Sequence, residues 1–153
     1  MKSKLLSNEA ARVFAVIFDK GDEVVSTLTA FAHDTGLAAT RVTAIGAFSH
    51  ATLGYFNKDK MEYDRIEVDD QVEALSLIGN FALTDGVPRL HAHVVLGRRD
   101  GSTCGGHLIE AHVWPTLEAM VVEAPNDLVK TVDEETGLAL IDLDVGVADR
   151  AQA

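Results

Sequence analysis

Residues 90–114, LHAHVVLGRRDGSTCGGHLIEAHVW, constrain the fold of this chain more than any other stretch. Two β-rich runs flank Arg99-Asp100-Gly101, and an aspartate followed by glycine is typical of a tight turn in which one residue takes a positive φ. The stretch therefore predicts a β-hairpin. It also holds four of the six histidines of the chain, which makes it the first place to look for a functional site.

The turn decides which histidines meet. His91 and His93 are two residues apart, so on a strand their side chains leave the same face. A three-residue loop over residues 99–101, closed by a glycine bulge, places His107 directly opposite His93. A two-residue loop places Leu108 there instead, because a slip of one residue turns every side chain to the other face. We favour the first register because it gathers three imidazoles, and the second stays an alternative.

Three imidazoles on one strand face form a candidate metal site. Neutral imidazole suits Zn, Ni, Cu or Fe, so the spacing alone does not select the ion, and we expect a divalent transition metal, with zinc preferred. Three ligands leave a position for water or for a group from a partner chain. Glu110 and Glu118 are candidate carboxylates behind the ligands. Gly105-Gly106 offers a second place for a bulge, and a polar strand face without an ion is an equally good interpretation of the spacing.

Most of the remaining chain also predicts strands. Apolar or alternating runs predict them over residues 12–18, 39–56, 61–68, 72–83, 117–124 and 138–143. We expect a bulge or bend at Gly46 and the Ser49-His50 region to split the long run 39–56 in two. Residues 1–10, 125–137 and the last ten residues are expected to lack regular structure.

One segment predicts a helix. Apolar residues follow helical spacing between Asp22-Glu23, which suit the positive end of a helix, and Gly36, which suits its stop. His33 falls in the last turn, where we expect it to be solvated. Many strands with one helix indicate an α+β domain with a mainly antiparallel sheet.

Length and composition restrict the number of domains and the classes of partner. A chain of 153 residues is expected to form one domain, with its core over about residues 10–143. The net charge of −11 disfavours nucleic acid and anionic lipid as partners. No apolar run is long enough for a membrane span. The single cysteine, Cys104, excludes an intrachain disulfide, fits a cytoplasmic location and has no neighbours that would activate it as a nucleophile.

Four stretches of the chain resemble the PPC domain, the domain conserved in plants and prokaryotes: residues 36–56, 73–83, 88–108 and 133–143. The pairing of LHAH with GGHL at this spacing is the most specific part of the resemblance. The resemblance implies an α+β domain with a curved, mainly antiparallel sheet and a homotrimer. In prokaryotic members it also implies a metal held by the histidines of these two motifs, which here are His91, His93 and His107.

In plants the PPC domain is joined to an AT-hook, a short basic arm that binds the minor groove of DNA. This sequence has no such arm, so DNA binding is implied only by the family label. The first hypothesis is a metal-binding homotrimer that binds a small ligand or has a regulatory role. The alternatives are a DNA-associated regulator, or a metal-dependent hydrolase or lyase with Glu110 or Glu118 as base. We favour a binding protein over an enzyme.

Overall fold

The computed structural model describes residues 1–7 and 11–145. In chain order its elements are β1 (Lys2–Ser7), β2 (Val13–Ile17), α1 (Val24–Asp34), β3 (Ala39–Asn57), β4 (Glu62–Val68), β5 (Val72–Thr84), β6 (Val87–Gly97), β7 (Thr103–Glu123), β8 (Val129–Val132) and β9 (Ala139–Asp142). One helix among strands that pair almost entirely antiparallel confirms the predicted α+β class. In the described ranges, the single helix α1 is too short to cross a membrane.

Four long strands close into a circuit. β3 pairs with β5, β5 with β6, β6 with the first part of β7, and the rest of β7 pairs back with β3. β2 extends the sheet beside β7, and β4 lies beside β3. The inner face of this circuit carries the core, whose largest fully buried side chains are Phe18, Phe48, Phe81, Leu28, Leu37, Leu53, Leu77, Leu96 and Leu117.

Helix α1 begins and ends where the sequence predicted. The carboxylate of Glu23 accepts hydrogen bonds from the backbone N–H groups of Val25 and Ser26, at 2.9 and 2.6 Å, and so satisfies donors that have no partner within the helix. Gly36 follows the helix with a φ of 65°, a conformation that glycine adopts without steric cost.

The predicted break in residues 39–56 is wrong, since β3 is one strand of 19 residues. It accommodates its length by bulges: the register with β5 shifts between Ala44 and Gly46, and the register with β7 shifts near His50. A Cβ at Gly46 would lie 2.3 Å from the carbonyl oxygen of Thr116, so only glycine permits this approach. The glycine bends the strand without ending it.

Three further segments differ from the expectation. Lys2–Ser7 forms β1 on the outer side of β2, although the predicted lead-in also includes residues 8–10, outside the described residues. Val129–Val132 forms β8 within the predicted loop, where a single parallel bridge joins it to β5. β7 continues through Pro115 instead of ending there. Most of the last ten residues, 146–153, fall beyond the described part.

The hairpin takes the favoured register. The N–H of Arg98 donates to the carbonyl of Ser102 at 2.8 Å, which leaves a three-residue loop, and Gly101 has a φ of 82°. His93 lies opposite His107, and the ladder runs without a shift from there to Gly97 opposite Thr103.

The expected second bulge at Gly105-Gly106 is therefore absent. A Cβ at Gly105 would lie 2.8 Å from the carbonyl oxygen of Val94, and one at Gly106 would lie 2.8 Å from that of Gly54. The two glycines let β7 approach β6 on one side and β3 on the other. Their function is close packing of backbones just before His107.

Substitution of a buried and of an exposed leucine tests which face of the sheet forms the core. Leu96 is fully buried, whereas Leu143 is 82% exposed. We expect Leu96→Ala to lower the free energy of unfolding by about 2–5 kcal/mol, because it removes buried methyl groups and leaves a cavity. Leu143→Ala should change it by no more than roughly 0.5 kcal/mol. Urea unfolding of both variants gives the comparison, and equal losses would contradict the assigned core.

Candidate metal centre

The three histidines converge on the outer face of the hairpin. His91 and His93 are exposed and His107 is half-buried, and one ring nitrogen of each lies within 4.8 Å of the others. The Nε2 atoms of His91 and His93 are 3.3 Å apart. Two nitrogens bound to one tetrahedral zinc ion at 2.0–2.1 Å would be roughly 3.3–3.4 Å apart. This pair therefore already has a separation that one ion can use, and His107 needs only a small approach to join it.

Electrostatics favours the neutral imidazoles that bind metals. Desolvation lowers the pKa of His107 to about 4, with smaller contributions from His91, His93 and Lys130. The pKa of His91 is lowered too, first by desolvation and then by Lys130 and His93. At neutral pH both rings are uncharged and keep a lone pair for a cation.

Three buried polar atoms have no hydrogen-bond partner within the described chain, and all three belong to this region. They are Nδ1 of His107, Oδ1 of Asn80 and Oγ1 of Thr84. Asn80 lies directly opposite His91 on β5, and Thr84 is at the end of the same strand. Buried polar atoms are almost always paired, so an orphaned cluster indicates a site built for a group from outside the chain. A metal ion fits the histidine nitrogens.

A cavity of about 330 Å³ adjoins the histidines. His91 and His107 form one side of it, and the hairpin of β8 and β9 forms another through Lys130 and Leu140. The ring of Tyr63 stacks on that of His107, with centroids 4.7 Å apart at 26°, and fixes its orientation. The remaining lining residues are Thr84, Arg89, Leu90, Leu138 and Ala139.

The two predicted carboxylates lie elsewhere. An oxygen of Glu110 is 3.0 Å from Nε2 of His112, and Glu110 lines a groove along α1. Glu118 is exposed and lies opposite Ile45, on the part of β7 that pairs with β3 and β2 and not with β6. Neither residue lines the cavity beside the histidines.

His33 and His112 take the structural positions expected of them, and Cys104 lies away from the histidine cluster's ligand set. His33 is exposed at the end of α1, 3.3 Å from Asp34. His112 stacks on His50 with ring centroids 4.4 Å apart. Cys104 is partly buried against the core.

Sequence reasoning missed four residues of the region, because they reach it from three other strands. Tyr63, Asn80, Thr84 and Lys130 come from β4, β5, β5 and β8, and none is close in sequence to the histidines. Asn80 could have been found, since the β5–β6 turn at residues 85–86 sets the pairing that brings it opposite His91. The position of Lys130 carried no signal, because its segment was expected to be a loop.

Comparison with known proteins gives consistent matches. The model of the Plants and Prokaryotes Conserved (PCC) domain matches residues 6–125. A plant- and prokaryote-conserved (PPC) protein from Pyrococcus horikoshii is 32% identical, with a TM-score of 0.81 over 86% of this chain and 91% of that one. A metal-containing protein from Archaeoglobus fulgidus is 35% identical, with a TM-score of 0.80 over 90% and 98%.

A third solved structure, from Bacteroides thetaiotaomicron, is described as a "putative dna binding protein"; it is 26% identical, with a TM-score of 0.82 over 92% of this chain and 96% of that one. Among curated proteins none matches this chain. The family model covers the hairpin with its three histidines and ends before β8. On the extent of that match and the identity to the two archaeal proteins, this chain belongs to the Plants and Prokaryotes Conserved domain family.

Proposed function

We propose that this protein is a cytoplasmic homotrimer that holds a divalent transition metal, zinc by preference, on His91, His93 and His107 and binds a small ligand beside it. The observation that carries the proposal is the convergence of three ring nitrogens within 4.8 Å of one another. Three neutral imidazoles leave a coordination position for a ligand. A structural relative from Archaeoglobus fulgidus is itself a metal-containing protein.

A binding or regulatory function has more support than hydrolase or lyase chemistry. A metal-dependent hydrolase or lyase needs a general base within hydrogen-bond reach of the reacting group. Of the residues that the structure describes, no aspartate or glutamate lines the cavity beside the histidines. Glu110 contacts His112, and Glu118 lies far across the sheet, so neither supports the role of base.

DNA binding has less support than metal binding. The description of the Bacteroides thetaiotaomicron relative favours it. The net charge of −11 opposes it, because affinity for DNA depends on cations that neutralise phosphates. One of the few clusters of basic residues, Arg98-Arg99, shares a surface cavity with Asp70, Glu73 and Asp100. We therefore give the metal site precedence.

The outer sheet face supports the homotrimer. Ile45, Leu75, Ile78, Val95 and Met120 are between 40% and 61% exposed. Their strands are neighbours in the sheet, with Thr43 opposite both Ile78 and Met120. A contiguous apolar surface of this kind usually marks a protein interface. Since Ile78 lies opposite His93, an interface here would bring partner groups close to the metal ligands.

The metal site is tested by replacing one ligand at a time. Protein purified without an affinity tag should contain about one metal ion per chain by elemental mass spectrometry. His91→Ala and His107→Ala should lose it, whereas the exposed His33→Ala should retain it. With free zinc at 100 times its Kd, we expect about 2.7 kcal/mol of added stability in the wild type and none in the two ligand variants. Metal-free wild type that zinc does not stabilise would contradict the site.

The trimer is tested by a charge on the outer face. Ile45→Glu places a carboxylate opposite Glu118, and burying both in an interface would be costly. Light scattering should give three times the 16.4 kDa chain mass for the wild type and the mass of a single chain for the variant. Leu143→Glu, which changes an 82% exposed residue after β9, is the control and should leave the mass unchanged. A monomeric wild type would overturn the assembly.

A further inference from the structure

We propose that the cavity beside the histidines selects a small organic carboxylic acid, with Lys130 binding the carboxylate and the apolar wall of β9 binding the rest of the molecule. The inference rests on the proposed metal site for the end of the ligand that faces the histidines. The carboxylate and the apolar part of the ligand are inferred from Lys130, Thr84 and the wall of the cavity, without reference to the metal.

Lys130 is the first observation. Lys130 is one of the few buried polar residues of the described chain and is only 8% exposed. No hydrogen bond or ion pair found in the described ranges involves its ammonium group. Burying an unpaired ammonium is costly, and here desolvation lowers its pKa. A lysine kept in such a position needs an anion, and the cavity is where one would be accommodated.

The charge balance of the cavity is the second observation. Lys130 and Arg89 line it, and none of its lining residues in the described ranges is acidic. A divalent ion bound by three neutral imidazoles would add two more positive charges. This local excess of positive charge contrasts with the net charge of −11 of the whole chain. Low-dielectric walls strengthen the attraction of such a site for an anion.

Thr84 adds a second donor. Its Oγ1 is buried and has no partner in the described chain, yet the residue lines the same cavity. A carboxylate offers two oxygens, which the ammonium of Lys130 and the hydroxyl of Thr84 are both suited to bind. A neutral amide would place an N–H₂ group where these donors require an acceptor.

The wall of the cavity restricts what carries the carboxylate. Leu90, Leu138 and Leu140 contribute apolar surface, and the volume of about 330 Å³ suits a molecule of metabolite size. We therefore infer a short acid with an apolar part. Lys130 and these last two leucines lie beyond residue 125, where the match to the family model ends, so this selectivity belongs to the β8–β9 hairpin.

The test uses isovalerate and its neutral isostere isovaleramide as probes against the zinc-loaded full chain. Calorimetry should show that isovalerate binds and that isovaleramide binds at least roughly tenfold more weakly, as expected when a charge-assisted hydrogen bond is lost. Lys130→Met should weaken isovalerate binding to the same extent while retaining its metal. Lys58→Met removes one exposed lysine and is the control, with binding unchanged.

Stability provides a reading that a merely structural lysine would not give. Because Lys130 has no partner in the described ranges and its ammonium is desolvated, Lys130→Met should be at least as resistant to urea as the wild type, although it binds the acid more weakly. A Lys130→Met variant that fails to fold would contradict the expected stability. The affinities of the wild type for isovalerate and isovaleramide would then decide whether the cavity selects a carboxylate.

The outcomes separate this inference from the metal site. Equal affinity for the acid and the amide, no binding of isovalerate, or full binding by Lys130→Met would overturn the carboxylate pocket, whatever the metal content. Isovalerate binding that depends on Lys130 in a protein that holds no metal would support the pocket and contradict the metal site.

Discussion

The pairing of β7 with its neighbours is the constraint on which the rest of this structure depends. Its first residues hydrogen-bond to β6, and the remainder pairs with β3, so one strand closes the circuit that encloses the core. The closure requires backbones to approach on both sides at Gly105 and Gly106, where any side chain would collide with a carbonyl oxygen. His107 follows directly, so the same packing that closes the fold also fixes the position of the third imidazole opposite His93.

This dependence explains how far the sequence could predict the site. Strand periodicity placed His91 and His93 on one face without further information. The position of His107 depended on a turn of two or three residues, and local rules allow both. The structure has the three-residue loop, with Gly101 at positive φ. Glycines were read only in part. Gly46 lies at a bulge, as predicted, but does not break the strand. Gly105 and Gly106, which offered a place for a bulge, instead serve close contacts that become visible only when the neighbouring strand is known.

Tertiary pairing also accounts for what the sequence did not predict. A stretch as short as residues 129–132 has no periodicity that requires a strand, and it becomes one because the end of β5 offers it a free edge. The hairpin of β8 and β9 then places Lys130 beside His91 and His107. Long-range placement of this kind is absent from local propensity, so composition and spacing could indicate the histidines but not the residues that surround them.

The polar groups around the histidines oppose folding and therefore point to binding. Each orphaned polar atom and the desolvated ammonium of Lys130 cost free energy in the isolated chain, whereas apolar side chains of similar size would not. Elsewhere in the described chain, partly buried polar side chains find partners, as Arg12 does with Glu123 and Thr52 with Glu67. Thr84, His107 and Lys130 line one cavity, and Asn80 lies beside it, opposite His91. Together these residues offer lone pairs for a cation and donors for an anion. A metal and a carboxylate together would satisfy both, because each supplies the charge that the other lacks.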